Sequence, residues 1–593
     1  MSVLRSGAVG ESAGEAAATA RRRAAAGCAL ALWVLGADAW FHGPILHDRL
    51  SPLVALLLLL ASAGSALVAL RAAGGPRVDR GFAAAAAAVC LVATVVRLPA
   101  FAAPGSLISS DSAVAGIIAQ DVRAGQLPPP IYAPGFPYEG TLKAQLTALL
   151  GRLFPGTGTP LLYAVCSHLF YLLWTVAVLR LARDVGGLRA ALGAGLLMAV
   201  PPRFLMAFSL NNVGQYPEVN ALGTLGLALM PAGPGLTLPA FFIGLALWQQ
   251  LLGVYFVIVA ALAVALTPAW RRGGRIAGAL AGFVAGSYPI WAWNAQHGWV
   301  TLDFFRRGGK EPGERLAGLP DRLAQTVAVS FPKMFGLTDA GVPAMLATAL
   351  GLILPLLVLV MLWARRREAI DGRGRRAVFL AGLLFVVVVG VFCASKFSYR
   401  GLRRPRYLIP IYTSAAVALG WGLDALARRS RLAAAAAALA VLGLDATGLA
   451  PWLRGRGPVE AADEAFLHEA QELRIRTGYT GFWIGPRFSF LSEGRVILSG
   501  ELGPDVSWVH PAHADRVRAE GPDALVVDQP DLARALERRL DALGVSRERS
   551  DVAGFSILHH FSRRIGLEEL SGYDAEEAPD SVDPDARADD PTN

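Results

Sequence analysis

The sequence predicts an all-α polytopic membrane protein with about 13 transmembrane helices, followed by a small C-terminal α/β domain. Hydrophobic residues make up 54% of the 593 residues, charged residues make up only 17%, and the mean hydropathy is +0.45. This composition is typical of a chain whose main solvent is the lipid bilayer. Apolar runs long enough to cross about 30 Å of hydrocarbon recur from residue 24 to residue 450 and then stop.

The apolar runs divide the chain into regions. Residues 1–23 are predicted to be a cytoplasmic N-terminus, and residues 24–450 are predicted to form the transmembrane domain. Arginine-rich connections between the spans belong on the cytoplasmic side under the positive-inside rule, which places the long loop 101–159 on the outer side. The predicted spans are residues 24–42, 52–71, 81–100, 160–180, 188–205, 218–232, 237–249, 250–268, 276–293, 343–363, 377–394, 407–427 and 432–450.

One stretch decides whether the number of crossings is consistent. Placing residues 211–217 outside and Arg271 inside requires an odd number of crossings between them. Either the apolar run 239–270 folds as two short spans that turn near Trp248–Gln250, or residues 221–230 do not cross. We prefer the interpretation with two short spans.

Charge and cysteine usage argue against two other classes of protein. The net charge is +9, but the arginines fall mostly in short connections between spans, where they set orientation, so no nucleic-acid partner is predicted. The four cysteines all lie within predicted spans and lack metal-ligand or redox spacing. We therefore interpret them as small buried apolar residues.

The loop 101–159 is the first candidate for function, because it is too long and too rich in proline for a packing turn. It carries Asp111 between serines, and Ser109 or Ser110 is placed to cap a short helix along the membrane surface. Asp111 would then supply negative charge at that helix N-terminus, a contribution of about 0.3 to 1 kcal/mol. A carboxylate at this position could also accept a proton from an acceptor hydroxyl or bind a divalent cation.

An ordered set of motifs resembles the GT-C-fold glycosyltransferases, especially bacterial relatives of protein O-mannosyltransferases and aminoarabinose transferases. The resemblance covers about residues 80 to 430. It implies a GT-C-like fold and a sugar donor carried on polyprenyl phosphate. Besides the Ser-Asp of the loop, the motifs are Tyr-Glu-Gly-Thr-Leu at 138–142, Leu-Gly-Arg-Leu-Phe-Pro at 150–155, Gln-Tyr-Pro-Glu at 215–218, Gly-Leu-Ala-Leu-Trp at 244–248, Tyr-Pro-Ile-Trp-Ala-Trp-Asn at 288–294 and Arg-Tyr-Leu-Ile-Pro at 406–410.

The predicted catalytic residues are Asp111 and Glu218. Asp111 would be the base or would orient the acceptor, and the resemblance makes Glu218 a second acid that helps to bind the acceptor or a cation. The alternative for Glu218 is an interfacial carboxylate beside a tyrosine of the aromatic belt. Ser112 stands where the family often has a second acidic residue, so the sequence lacks an adjacent acidic pair for a metal. The predicted substrate-binding residues are Tyr138, Glu139, Asn211, Asn212, Gln215, Tyr216 and Tyr407.

A basic turn on the predicted outer side runs against the positive-inside trend, which indicates an anionic ligand. A phosphate leaving group at headgroup level fits, since arginine offers paired donors to phosphate. Anionic lipid headgroups, or a turn on the cytoplasmic side, would also explain the charge. The predicted donor-phosphate residues are Arg406, whose setting resembles the family motif, with Arg403, Arg404, Arg400, Lys396 and Lys143.

The C-terminal part is predicted to be an extracytoplasmic α/β domain at 451–570 and an acidic disordered tail at 571–593. His297, His510 and His513 are predicted to be loop residues. The predicted helices are 459–476 and 531–543, and the predicted strands are 481–484, 495–498, 524–527 and 555–558.

The predicted function is a glycosyltransferase of a bacterial cytoplasmic membrane, which moves a sugar from a polyprenyl-phosphate donor to an acceptor hydroxyl on the extracytoplasmic side. The acceptor would be a glycan, a lipid or a protein. No cofactor is certain, and Mg²⁺ or Mn²⁺ is the candidate cation. The alternatives are a transporter or flippase of a lipid-linked or amphipathic anion, and a non-catalytic scaffold.

Overall fold

The computed structural model describes residues 24–46, 51, 54–55, 57–59, 61–62, 79–210, 213–231, 235–301, 303, 318–364, 372–395, 398, 405–502 and 510–570. The described part that precedes the α/β domain consists of helices and the loops that connect them. Its longer helices are Ala24–Trp40, Arg80–Phe101, Ser110–Arg123, Leu142–Leu153, Thr159–Ala199, Arg203–Leu210, Tyr216–Leu229, Thr237–Gln249, Gly253–Leu266, Gly273–Gly286, Tyr288–Gln296, Leu319–Gln325, Ala344–Gly351, Ile353–Ala364, Arg373–Ala394, Ile411–Arg429 and Arg431–Arg454.

By length and composition, five of the described helical stretches could cross a membrane, or six if one bent pair forms a single span. Three shorter apolar helices, Ala24–Trp40, Thr237–Gln249 and Gly253–Leu266, lie where spans are predicted. The chain is thus a multi-pass membrane protein, and the number of 13 spans stays a prediction.

Glycine and proline mark the breaks between helices. The predicted spans 160–180 and 188–205 form one helical stretch that is broken at Gly187, where φ is 78° and ψ is −163°. A residue with a side chain would be strained in that conformation, so glycine permits the break. The helices Gly273–Gly286 and Tyr288–Gln296 meet at 57°, with Pro289 in the first turn of the second.

The apolar run 239–270 contains a helix break at the position predicted. Thr237–Gln249 ends at Gln250, whose backbone is extended (φ −164°, ψ 157°), and the next helix starts at Gly253. The turn near Trp248–Gln250 is therefore confirmed, whereas the crossing of the membrane by both helices stays a prediction.

The helical core is centred on Thr159–Ala199, whose buried aromatic side chains are also hydrogen-bonded. Trp174 Nε1 donates to Thr413 Oγ1 at 2.8 Å, and the Tyr171 hydroxyl donates to the Met198 carbonyl at 2.7 Å. These bonds satisfy polar atoms that burial would otherwise leave unpaired. The helix Thr159–Ala199 is therefore packed at the centre of the helical domain, where Trp174 joins it to the helix Ile411–Arg429.

The C-terminal domain contains a five-stranded sheet in the order β2-β1-β3-β5-β4. The strand β1 is parallel to β2 and β3, while β5 is antiparallel to β3 and β4. The strands are β1 Thr477–Thr480, β2 Ile497–Ser499, β3 Ala524–Val527, β4 Glu548–Val552 and β5 Phe555–His559. The helices are Arg456–Glu472, Gly485–Leu491, Pro511–Glu520, Pro530–Ala542 and Leu567–Leu570.

The structure differs from the prediction at several elements of this domain: β1 lies before the predicted strand 481–484, and the helices Gly485–Leu491, Pro511–Glu520 and Leu567–Leu570 were not predicted. Residues 481–484 form a turn and not a strand, because Phe482 and Trp483 pack against the helices of the loop 101–159. The strand β4 was not predicted, since it lies at the sheet edge and is mostly exposed and charged. His510 and His513 lie at the start of the helix Pro511–Glu520, and residues 571–593 lie outside the described part of the chain.

Candidate active site

Asp111 lies in the first turn of the helix Ser110–Arg123, which we call the loop helix. Ser109 is the N-cap, and a capping box joins it to Ser112: the Ser112 amide donates to Ser109 Oγ at 3.3 Å, and the Ser109 amide donates to Ser112 Oγ at 2.8 Å. The predicted cap is thus confirmed, and it fixes the backbone that carries Asp111. The Asp111 side chain is half-buried.

The next part of the loop folds back on itself and contacts the end of a membrane helix. Tyr132 pairs with Gly140 in an antiparallel bridge, and the Ala133 amide donates to the Glu139 carbonyl at 2.9 Å. The Gly140 amide donates to the Gln249 carbonyl at 3.0 Å. A Cβ at position 140 would lie 2.7 Å from the carbonyl oxygen of residue 248, so only glycine permits this contact.

This folded segment places Glu139 among three other charged groups. Burial, with a further contribution from the Asp111 carboxylate, raises the pKa of Glu139 to about 7 against the opposing effect of Arg406 and Lys143. Asp111 and Arg406 are far from Glu139 in the sequence, and Lys143 is four residues away, yet all three act on its carboxyl group. The structure therefore brings together four of the residues that the sequence singled out.

Lys143 and Glu218 form an ion pair with no exposed surface on either side chain. The distance from Lys143 Nζ to Glu218 Oε1 is 3.1 Å. Lys143 Nζ also lies 4.5 Å from the centre of the Tyr163 ring, which gives a cation–π contact. Burial lowers the pKa of Lys143 to about 8, and Glu218 opposes this shift, so the ammonium group stays charged at neutral pH.

Arg406 lies close enough to Tyr138 and Glu139 to act on both side chains electrostatically. It lies in the short turn Pro405–Leu408, with 8% of its surface exposed, and its guanidinium carbon is 5.5 Å from the centre of the Tyr407 ring. Burial raises the pKa of Tyr138, the Glu139, Tyr407 and Asp111 groups add to this shift, and Arg406 opposes it. Lys396, Arg400, Arg403, Arg404, Asn211 and Asn212 lie outside the described residues.

Three buried glutamines lie on segments next to those that carry Lys143 and Glu218, and only Gln215 was predicted as a site residue. Gln215 has a left-handed backbone (φ 56°) and directly precedes the helix of Glu218. Among the described residues, the Oε1 atoms of Gln215, Gln249 and Gln250 are buried without a hydrogen-bond partner. Gln249 and Gln250 could have been identified as candidate site residues from the sequence, because they are two polar residues at a helix end within an apolar run.

Tyr216 has a packing contact in addition to its predicted role. It begins the helix Tyr216–Leu229 and lies edge-on to Phe208, with ring centres 5.4 Å apart. Its role as a substrate-binding residue stays a prediction.

The carboxylates of the site do not provide an evident cation site. Within the described ranges, the group of three acidic or histidine side chains close enough to share a metal ion is Glu548, His559 and His560, in the α/β domain. Glu218 is already paired with Lys143, and Glu139 has a raised pKa. These residues do not form the oxygen-rich ligand set that Mg²⁺ or Mn²⁺ prefers, so we derive no catalytic step that depends on a metal.

The overall fold is that of a solved membrane protein. The chain matches ArnT from Cupriavidus metallidurans in the apo state, with a TM-score of 0.53, 15% identity, and coverage of 80% of this chain and 98% of ArnT. This likeness confirms the predicted GT-C-like fold. No family model matches the chain, and no curated protein matches it either.

Weaker similarities are found to oligosaccharyltransferases of Archaeoglobus fulgidus. One structure, in complex with Zn and sulfate, gives a TM-score of 0.44 at 13% identity, with 76% of this chain and 69% of that chain covered. Another, of AglB with an inhibitory peptide and a dolichol-phosphate, gives 0.43 at 13% identity, with 82% and 75% covered.

Proposed function

We propose that the protein is a membrane glycosyltransferase, which moves a sugar from a polyprenyl-phosphate donor to an acceptor hydroxyl. The observation that carries the proposal is that Asp111, Lys143 and Arg406 all act electrostatically on the Glu139 carboxyl group in a GT-C-like fold. A carboxylate close to cations is suited to transfer from a phosphate leaving group, because one group takes the proton while the others bind the phosphate.

In the proposed reaction, the acceptor oxygen attacks the anomeric carbon of the sugar. A new carbon–oxygen bond forms there, and the bond from the anomeric carbon to the phosphate oxygen breaks. Its electron pair leaves with the polyprenyl phosphate, and the acceptor proton passes to the Asp111 carboxylate. Arg406 stabilises the charge that develops on the phosphate.

The buried ion pair has a different proposed role. Glu218 holds Lys143 in its charged form near Glu139, so that Lys143 adds a second positive charge to the site. Glu218 then acts as an acid that orients its neighbours. The unpartnered amide oxygens of Gln215, Gln249 and Gln250 offer further hydrogen-bond acceptors for the substrate.

The location of the site is part of the proposal. The positive-inside rule supports an outward-facing site in a bacterial cytoplasmic membrane, with the α/β domain on the same side. A donor anchored in the membrane by its polyprenyl chain would reach a site at the membrane surface without leaving the bilayer. The resemblance of the loop motifs to the aminoarabinose transferases supports the same class of donor.

The decisive experiment uses the purified full-length protein and a panel of polyprenyl-phosphate sugars. Release of polyprenyl phosphate, together with transfer of the labelled sugar to a glycan, lipid or protein acceptor, would support the proposal. If no donor in the panel releases polyprenyl phosphate and proteoliposomes show counter-flow of a lipid-linked anion, the proposal is wrong.

The variant Asp111→Asn tests the role of the base. We expect sugar transfer to fall by at least about 100-fold, because the amide cannot accept the acceptor proton. Asp121→Asn is the matched control, since Asp121 lies on the same loop helix but pairs with His510 at 3.3 Å. Near-normal turnover by folded Asp111→Asn would exclude Asp111 as the base.

A further inference from the structure

We propose that Phe490, in the α/β domain, is a positioning residue for the candidate active site. This inference rests on the proposed function and goes beyond it, because it gives the α/β domain a part in that reaction. Phe490 is fully buried near the end of the short helix Gly485–Leu491. Its ring contacts the loop helix on one side and the Tyr163 ring on the other.

The contact with the loop helix is made at Gly116. A Cβ at that position would lie 2.6 Å from Cζ of Phe490, so the ring occupies the space that a side chain would need. One turn later, Gln120 Nε2 donates to the Phe490 carbonyl at 2.9 Å. Asp111 lies less than two turns before Gly116 on the same helix, and a rigid helix transmits any displacement at Gly116 to Asp111.

The contact on the other side leads to the buried ion pair. The Phe490 and Tyr163 rings meet at 70°, with their centres 6.0 Å apart. The same Tyr163 ring makes the cation–π contact with Lys143, whose Nζ lies 4.5 Å from the ring centre. One side chain of the α/β domain therefore supports both the helix of Asp111 and the aromatic ring under Lys143.

Phe490 packs with the helical domain and not with its own domain. The two apolar clusters inside the α/β domain do not include it. Phe488, two residues earlier, packs into one of those clusters, with its ring centre 4.1 Å from that of Phe466. The apolar cluster that contains Phe490 is formed with Ile108, Ala113, Ala115, Ile117 and Tyr163.

Polar contacts around Phe490 fix the two domains against each other. Glu493 Oε1 accepts from the Thr159 amide at 3.0 Å, and Glu460 Oε2 accepts from the Ser106 amide at 2.6 Å. Arg456 donates to the Ser106 carbonyl at 3.0 Å. These bonds join both ends of the loop 101–159 to the α/β domain, so the Phe490 ring is held in a defined place.

The test compares Phe490→Leu with Phe488→Leu in the full-length protein. Both changes remove a buried ring from the same short helix, but only the first reaches the candidate site. We expect Phe490→Leu to lower kcat by about tenfold or more at an unchanged KM for the donor, because a misplaced base costs rate and not donor affinity. Phe488→Leu should lower the temperature of unfolding and leave kcat per folded molecule unchanged.

A compensating pair makes the test more specific. Gly116→Ala alone should lower kcat, because the added Cβ displaces the Phe490 ring. Gly116→Ala combined with Phe490→Leu should recover part of that loss, since leucine lacks the ring atoms that the Cβ would meet. Additive losses in the double variant would contradict the proposed contact.

Hydrogen exchange provides a readout that does not depend on activity. Amide exchange in residues 110–123 should become several-fold faster in Phe490→Leu and should stay unchanged in Phe488→Leu. Equal exchange in both variants overturns the positioning role. If exchange behaves as expected but no donor is turned over by the unmodified protein, the positioning role stands and the proposed function fails.

Discussion

Two ion pairs, one in each domain, have different surroundings. In the α/β domain, ion pairs such as Arg516–Glu520 lie at the surface, with 42% and 48% of the side chains exposed. In the helical domain, Lys143 and Glu218 have no exposed surface. An exposed pair contributes about 0 to 1 kcal/mol, whereas a buried pair loses hydration that its attraction barely offsets. The difference agrees with the role proposed for the buried pair in the candidate site, whereas the exposed pair needs no role beyond solubility.

The largest effect is expected from breaking the buried pair. Lys143→Met should abolish sugar transfer and destabilise the protein by about 3 kcal/mol or more, because Glu218 is left without its partner. The double variant Lys143→Met with Glu218→Gln should recover stability but not transfer. Thermal unfolding and turnover would be measured for both. A fully active double variant would show that the pair is only structural.

The second prediction concerns Glu139. Its side chain is half-buried, so its exposure lies between that of the surface pair Arg516–Glu520 and that of the buried pair Lys143–Glu218. Its pKa is raised from 4.5 to about 7, so the unfolded chain loses this proton at lower pH than the folded protein. Stability should therefore fall as pH rises from 4.5 to 7, by about 2 kcal/mol after allowance for partial exposure. Glu139→Gln should remove this contribution.

Unfolding temperatures of the unmodified protein and Glu139→Gln, compared at pH 5 and pH 7.5, check the second prediction. The difference between the two proteins should change with pH in favour of the glutamine variant. A pH-independent difference would mean that Glu139 titrates alike in the folded and unfolded chains.

A smaller effect on sugar transfer is expected from changes at Arg406, whose proposed role is to bind the phosphate of the donor. Arg406→Ala should raise the KM for the polyprenyl-phosphate donor about tenfold and leave the KM for the acceptor nearly unchanged. Arg406→Lys, which keeps the charge but loses the paired donors, should recover part of the affinity. An effect confined to the acceptor would argue against a phosphate contact.

The smallest effect should come from the exposed pairs. Arg516→Ala removes a partner of Glu520 at the surface, so the free energy of unfolding should change by less than about 0.5 kcal/mol. Sugar transfer should be unchanged. A clear loss of activity in this variant would contradict the division between exposed and buried pairs.

The sequence was informative where the signal is local. A cap at Ser109 or Ser110 was predicted, because a serine oxygen before a helical run can accept a hydrogen bond from an amide of the first turn. The helix Thr237–Gln249 was predicted at its observed bounds, since polar residues end the apolar run there. The grouping of Asp111 with Arg406 followed from orientation, which arginine-rich connections encode along the whole chain.

The sequence was less informative where pairing is decided by packing. Lys143 and Glu218 were assigned separate roles, because nothing local shows that their side chains meet. The aromatic residues Phe482 and Trp483 favour a strand by propensity, yet they form a turn against the loop helix. In each case, the partner lies in a distant part of the chain, and the residue pattern alone cannot identify it.

Gly116 and Gly140 have different consequences for how this sequence can vary over time. Gly116 faces the ring of another side chain, so a larger residue can be accommodated if position 490 becomes smaller in the same lineage. Gly140 faces the backbone carbonyl oxygen of residue 248. Every residue type has this oxygen, so no substitution at position 248 can make room for a side chain at position 140. Position 116 should therefore covary with position 490 among related chains, whereas position 140 should remain glycine.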